Sequence, residues 1–324
     1  MINFEWVNAT SVAEAIAQLR PQAALKAGGI DLLDRMKEGL DAPTRLVNLR
    51  TIPGLDRIRQ EPHGLTVGPL VTLATLGADP IVRQRYTALA DAAAHVATPQ
   101  IRNAATVGGN LLQRPRCWYF RSQSFPCLRK GGDTCYAQAG ENQYHALFDN
   151  QVCAAIHSSD LATALVALDA HLELTSAAGV RTVTLGDFFV SPDKDVTREH
   201  ALAPGEIVTA IFVPTPADGS RSAYVKQGEK QSADWPLAEA AVAASVREGR
   251  FATVAVVLGA AAPVPWRARV AEAALVGQPA TAETATEALR AELTRATPLA
   301  HNRYKLQLFE TIGRRAILAA AGVV

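Results

Sequence analysis

The sequence predicts a fold of mixed helices and strands divided into two or three domains, and three observations carry that prediction. The first fifty residues alternate strand-like and helix-like segments. The middle of the chain mixes an Ala/Leu-rich helical stretch with hairpin-like runs. Past "PTPADGS" (214–220), the best linker in the chain, the texture changes to long apolar segments and then to helical patterns.

The elements follow in order. "INFEWV" alternates as a strand does. Ser11 with Glu14 forms a capping box ahead of "VAEAIAQLR". "AALKA" is a short strand that ends in Gly28-Gly29. "DLLDRMKEG" is a helix with Asp31 near its start and Gly39 past its end, and "TRLVNL" is the next strand. "LDRIRQ" and "GLTVGP" flank a turn at 62–64, and residues 72–97 are helical. Gln113 to Asn150 shows no sustained period. Such a length marks a functional or a disordered segment. "SDLATALVALDA" resumes as helix, "HLELTSAAGVRTVTL" as a hairpin and "EIVTAIFVP" as a strand. "SAYVKQGE", "LAEAAVAASVRE" and "RFATVAVVLGA" fit a three-strand meander, although the alanines of the middle piece fit a helix equally well. Residues 267–320 are helical, with breaks at 277–279 and Pro298.

Composition excludes some classes of function. Hydrophobic residues are 48% and charged residues 19%, and the net charge is +1, so nothing points to nucleic acid or a membrane surface. The N-terminus lacks the pattern of a signal peptide, and no apolar run is long enough to span a bilayer. The default expectation is the cytoplasm, where clustered cysteines hold metal more often than they form disulfides.

Two glycine turns stand out. "KAGGIDLL" (26–33) sets Gly28-Gly29 between a strand and a helix start, and "TVGGNLL" (106–112) repeats the chemistry with Gly108-Gly109. Glycines let the backbone approach a ligand, and successive free N–H groups at a helix start attract anions. Two such turns suit the two phosphates of a dinucleotide. Each can also be a plain tight turn, and neither matches G-x-G-x-x-G.

All four cysteines lie close behind the second turn, at Cys117, Cys127, Cys135 and Cys153. The spacing is neither a zinc ribbon nor the bacterial ferredoxin run. Four thiolates suit a [4Fe–4S] cluster or a tetrahedral zinc, and spacing alone does not separate these from unrelated buried thiols or, in an exported protein, two disulfides. Arg114, Arg116, Arg121, Arg129 and Lys130 are placed to offset thiolate charge. The segment shows no periodic core, so a bound group would serve to order it. His157 is the nearest candidate for a catalytic base. A histidine beside a helix start is more often a capping or packing residue, and no catalytic residue is assigned.

"KAGGIDLL", "QIRNAATVGGNLLQ", "HSSDLATAL", "LGDFF" and "AYVK", in this order, resemble the FAD-binding medium subunits of the molybdenum hydroxylases over essentially the whole chain. "RCWYF…PC…TC…VCAAIHSSD" narrows the resemblance to the flavin subunits of bacterial periplasmic aldehyde oxidoreductases, with a related insertion in 4-hydroxybenzoyl-CoA reductases. The resemblance implies an α+β fold, with a two-lobed FAD-binding domain of the vanillyl-alcohol oxidase (PCMH) type over 1–217. Its lobes would cover about 1–55 and 56–217, with a [4Fe–4S] insertion at about 113–154. A small C-terminal α+β domain would follow over 218–324. It places FAD against Lys26, Ala27, Gly28, Gly29, Ile30, Asp31, Leu32 and Leu33, and against Thr106, Val107, Gly108, Gly109 and Asn110. The pyrophosphate would lie between these two turns. Asp160 and Val208 would contact the flavin, and Lys226 would sit near the isoalloxazine. Ile30 stands where the family commonly has threonine. The four cysteines would ligate the cluster.

The implied role is an electron-transfer subunit of a heterotrimer. A large molybdopterin subunit would oxidise the substrate, an aldehyde by this resemblance, and a small subunit would carry [2Fe–2S] clusters. FAD would pass the electrons to an external acceptor. A 4-hydroxybenzoyl-CoA reductase-like or xanthine dehydrogenase-like enzyme is the alternative. A zinc-stabilised scaffold without flavin is the alternative of another class. The look-alike is exported on a partner's signal, so a periplasmic location is compatible with this sequence.

Overall fold

The computed structural model describes residues 2–230 and 233–323. Its strands form three sheets. The first is a parallel sheet in the order Glu5–Asn8, Arg45–Asn48, Ala23–Lys26, covered by the helices Val12–Ala17 and Ile30–Lys37. Its crossovers are short because each carries one small helix. Ser11 caps the first helix by accepting from Glu14 N, and the Glu14 carboxylate accepts from Thr10 N, closing a reciprocal cap one residue wider than the expected box.

The second sheet has five antiparallel strands. Its order is Ile58–Glu61, Gly64–Val67, Ile207–Pro214, His171–Ser176, Gly179–Thr184. More than a hundred residues separate its second strand from the next one in sequence, and they hold the Ala-rich helices, the second glycine turn and the cysteine segment. The stretch 72–97 is three short helices rather than one. Asp79 ends the first helix, Leu73–Ala78, and its carboxylate caps Pro80–Arg85 by accepting from Ile81 N and Val82 N. Thr87–His95 is the third.

The third sheet is antiparallel, in the order Trp266–Arg267, Arg250–Gly259, Ala238–Arg247, Ser220–Gln227. The ambiguous segment "AEAAVAASVR" is its strand Ala238–Arg247. This strand is buried on both faces, between the helix Lys305–Ala321 on one side and the helix Asp160–Ala167 on the other. A strand covered twice need not alternate, which is why its alanines matched both periods. Arg269–Leu275, Ala282–Leu293 and Lys305–Ala321 complete this part. The expected linker at 214–220 runs between the last residue of the five-stranded sheet, Pro214, and the first of this one, Ser220. Among the described residues no helix is long and apolar enough to cross a membrane.

The cysteine segment has a core of its own, contrary to the sequence reading. Trp118 packs edge-on to Tyr144 and His145 at ring separations of 5.6 and 5.3 Å, and Phe125 to Tyr119 and Tyr136 at 5.0 and 5.1 Å. Aromatic packing needs no period along the chain, so a search for amphipathic spacing misses it. The far end of the segment is tied to the C-terminal region. Asn302 Nδ2 and the buried Lys305 Nζ both donate to the His145 carbonyl, and Thr297 N donates to Leu147 O.

Candidate functional site

A cavity of about 670 Å³ opens between the first sheet, the second glycine turn and the edge of the C-terminal sheet. Its size is that of a small-molecule or cofactor site. Ala27, Gly28, Gly29, Ile30, Asp31 and Leu32 form one wall, Thr106, Gly108, Gly109 and Asn110 a second, and Asp160, Val208 and Lys226 a third. Three expected residues do not line it. Lys26 turns away, with its ammonium 5.5 Å from the Trp6 ring. Leu33 packs beside Leu32, Met36 and Leu46, and Val107 is buried in the main core.

The two glycine turns meet. A Cβ on Gly28 would lie 2.2 Å from Ala104 O, directly ahead of the second turn, so only glycine permits this approach. Their chemistry differs, however. Gly29 at φ +82° starts the helix Ile30–Lys37 with no side-chain cap, and the first amides of that helix remain for a ligand. The second turn is itself a short helix, Val107–Leu111, whose amides are already used. Val107 N donates to Val71 O, Gly108 N to Pro69 O and Gly109 N to Thr106 Oγ1. The expected second nest of free N–H groups is therefore absent at 107–109. This turn contributes shape, because a Cβ on Gly108 would press on Pro69 at 2.9 Å.

Asp160 and Lys226 are brought together from residues 66 positions apart. Lys226 Nζ lies 3.0 Å from Asp160 Oδ2 and also donates to His95 O, and both side chains are largely buried. Behind Asp160 lies Glu239, fully buried, accepting from Thr163 Oγ1 at 2.7 Å and from the Tyr224 hydroxyl. Burial, then the nearby Asp160 charge, raises the Glu239 pKa to about 8. His157 is a packing residue. It is buried edge-on to Phe189, its Nδ1 accepts from Ser159 N, and burial lowers its pKa to about 3.

The sequence reading missed several walls of the cavity. Asp234 and Trp235 reach it from the connection after the strand Ser220–Gln227, and Ser158 from the turn before Asp160. Arg116 reaches it from the cysteine segment, stacked 4.8 Å from the Trp235 ring. No motif announces these residues, because they arrive from separate parts of the chain.

A second, much smaller cavity is lined by all four cysteines together with Tyr119, Phe120, Arg129 and Tyr136. All four thiols are free. Cys117, Cys127 and Cys135 each stand at the residue before a short helical turn, at Trp118–Arg121, Leu128–Lys130 and Tyr136–Gln138. Backbone amides consequently aim at sulfur: those of Tyr119 and Phe120 at Cys117, of Ala137 and Ala154 at Cys135, and of Ala155 at Cys153. Arg129 Nε donates to Cys153 Sγ at 3.1 Å, and His145 Nε2 lies 3.2 Å from Cys117 Sγ. The Cys153 thiol is drawn down to about 6 by the hydrogen bond from Cys135 and, beyond that, by the Arg129 charge. Among the described residues no three His, Cys, Asp or Glu side chains are arranged to hold one metal ion. The four thiols surround one void, and three of them face backbone amides.

The basic residues of the segment do not behave as a block. Only Arg129 turns to a sulfur. Arg114 pairs with Glu199, Arg116 with Asp31 and Asp34, Arg121 with Asp31 and Glu38, and Lys130 Nζ donates to the Tyr119 and Ser122 carbonyls. Half-buried guanidiniums next to carboxylates pair with them rather than with a more distant thiol.

Residues 2–216 match the family described as the FAD binding domain in molybdopterin dehydrogenase, and residues 223–320 match the CO dehydrogenase flavoprotein C-terminal domain. The chain is 37% identical to the aldehyde oxidoreductase FAD-binding subunit PaoB of Escherichia coli K12, over 94% of this chain and 93% of that protein. It is 30% identical to the putative xanthine dehydrogenase FAD-binding subunit XdhB of the same organism, over 97% and 96%. Among solved structures, a carbon monoxide dehydrogenase from Hydrogenophaga pseudoflava superimposes with a TM-score of 0.78 at 30% identity, covering 99% of this chain and 98% of that one.

Proposed function

This chain belongs to the FAD-binding medium-subunit family of the molybdenum hydroxylases, and on that premise we propose that it carries electrons out of an aldehyde-oxidising heterotrimer. A large molybdopterin subunit oxidises the aldehyde to the carboxylic acid. Electrons pass through [2Fe–2S] clusters of a small subunit to FAD on this chain and then to an external acceptor. The observation that carries the reading is the 670 Å³ cavity walled by both glycine turns and by the Asp160–Lys226 pair. The aldehyde assignment rests on the identity to PaoB together with the cysteine segment.

Bound FAD supplies an exchange of electrons singly with clusters and in pairs with an acceptor. The residues of the chain do the rest. The uncapped start of the helix Ile30–Lys37 offers amides to the diphosphate, and Gly28 and Gly108 allow the backbone to come close. Lys226 and Asp160 place a fixed, oriented charge pair on the third wall, and Ser159 beside Asp160 donates to Asn110 of the second turn. Val208 adds an apolar surface.

The same proposal gives the smaller cavity a [4Fe–4S] cluster held by Cys117, Cys127, Cys135 and Cys153. Support comes from their convergence on one void and from the amide, Arg129 and His145 donors around their sulfurs. Hydrogen bonds to sulfur and low solvent exposure set the potential of such a cluster. The segment has its own aromatic core, so the cluster is not required as its sole staple.

The test is anaerobic purification with the partner subunits, followed by flavin and iron analysis and EPR after dithionite reduction. The expected result is about one FAD per chain, iron beyond that of the small subunit, and a [4Fe–4S] signal lost in Cys127→Ser. Zinc in place of iron, in a colourless preparation, would sink the reading.

A further inference from the structure

The resemblance places Asp31 among the residues that touch the dinucleotide. Its surroundings argue for a different task. The carboxylate is 10% exposed and receives Arg121 Nη2 at 2.6 Å, Arg116 Nη2 at 3.0 Å and the Arg114 backbone N at 3.1 Å, besides Arg35 of its own helix. An anion so fully engaged has little left to offer a diphosphate, which is itself anionic. Burial pushes the Asp31 carboxyl up, but Arg35, Arg121 and Arg116 outweigh it and hold the group ionised below its ordinary range.

Apart from Arg35, the partners of Asp31 share one origin. Arg114, Arg116 and Arg121 bracket Cys117 in sequence. On the same face of the helix Ile30–Lys37 and just past its end, Asp34 takes Arg116 Nη1 at 2.9 Å and Glu38 takes Arg121 Nη1 at 3.1 Å. Gln123 Nε2 closes the seam on Glu38 O at 2.7 Å. The segment 114–121 is thus a wall common to both cavities. Arg116 lines the large one, and its neighbour Cys117 lines the small one. The helix on the other side of this seam begins at Gly29, where its free amides face the large cavity.

We propose that Asp31 is a positioning residue that locks the FAD-binding turn to the cysteine segment, so that filling the large cavity and ordering Cys117 stabilise each other. The inference rests on FAD occupying the large cavity. It does not require the iron–sulfur cluster. Any movement of the segment 114–121 pulls on Asp31 and through it on the helix start. Linkage makes the effect reciprocal: if an ordered segment tightens FAD binding, FAD must order the segment by the same factor.

The experiment uses the full chain, iron-free and anaerobic, in the wild type and in Asp31→Asn, Arg121→Ala and Arg121→Lys. Flavin fluorescence gives the FAD dissociation constant. Mass spectrometry follows alkylation of Cys117 by iodoacetamide with and without FAD. In the wild type FAD should slow alkylation of Cys117 about tenfold, within the usual range of coupling between sites. Arg121→Ala should weaken FAD binding by a similar factor, and Arg121→Lys should recover part of it. Asp31→Asn should bind FAD more weakly and lose the protection of Cys117. Equal protection in Asp31→Asn and wild type, or none in the wild type with FAD bound, overturns the proposal. Should Asp31→Asn fail to fold, the contrast between the two Arg121 variants decides. A wild-type chain that binds no FAD at all would instead overturn the reading of the large cavity, and the coupling with it.

Discussion

Lys226 and Asp160 form an ion pair, 3.0 Å from Nζ to Oδ2, that joins the outer strand of the C-terminal sheet to the helix Asp160–Ala167 on the wall of the large cavity. Neither partner is free to find water elsewhere, since their side chains are 11% and 3% exposed. Removing one leaves the other charged and unpaired in a largely buried place. Lys226→Met should therefore cost on the order of 3 kcal/mol of stability and reduce FAD retention. Thermal unfolding and flavin content of the purified variant measure both. An unchanged melting temperature would show that the pair is solvated.

Gly28 is held by a steric limit. Gly28→Ala puts a methyl group 2.2 Å from Ala104 O, and that neighbour is backbone, which cannot swing aside. The turns must separate, at a cost of about 1–3 kcal/mol. FAD should dissociate at least tenfold more readily, as read by flavin fluorescence on dilution. Gly54→Ala is the contrast. A Cβ there meets no atom within 4 Å, so only the strain of its positive φ is felt, and FAD binding should be unaffected.

Glu239 makes stability depend on pH in an unusual direction for a carboxylate. Its pKa in the fold is about 8, against 4.5 for the unreacted group, because burial and the Asp160 charge disfavour ionisation. The folded chain therefore keeps a proton that the unfolded chain gives up. Its contribution is complete below about pH 4.5 and is lost progressively as pH rises toward 8, at up to about 1.4 kcal/mol per pH unit. Glu239→Gln cannot titrate and can still meet Thr163 and Tyr224. Denaturant unfolding at pH 5 and pH 8 should show the variant gaining on the wild type at the higher pH. A difference that does not change with pH would mean that Glu239 is ionised throughout.

Lys305 is fully buried, and its Nζ donates to His145 O at 3.0 Å and to Ala260 O at 2.7 Å. Lys305→Met keeps the volume and removes the donor from Ala260 O, while His145 O still accepts from Asn302 Nδ2. Leaving a buried acceptor unmet costs about 1–3 kcal/mol, offset in part because the lysine charge no longer has to be buried. The net loss should be about 1 kcal/mol by urea unfolding. Because one acceptor belongs to the cysteine segment, alkylation at Cys117 should also quicken. Faster alkylation without a change in stability would place the effect in the segment alone.

Much of this molecule is legible along the chain. "AALK" and "RLVN" are strands because they are short apolar runs bounded by turn residues. Gly28-Gly29 between strand and helix marks a place where backbone meets ligand. The order of "KAGGIDLL", "TVGGN", "HSSD" and "AYVK" was enough to name the family, and most of the residues it pointed to do line one cavity. Local patterns carry this information because each turn or strand depends on residues only a few positions apart.

What the chain could not reveal depends on distant residues meeting. Sequence made the "TVGGN" amides look free, and only the approach of Pro69 and Val71 shows that they are occupied. Sequence made the arginines look like a charge cloud around sulfur, and only the helix Ile30–Lys37 across the seam shows where Arg116 and Arg121 point. The aromatic core of the cysteine segment, the double burial of Ala238–Arg247 and the burial of Glu239 behind Asp160 are of the same kind. By itself the sequence determined the family, the order of the elements and the glycine turns, because those follow from short-range preferences. The tertiary structure decided which donors and charges remain available, because a hydrogen bond or ion pair is spent on whichever partner packing brings within reach.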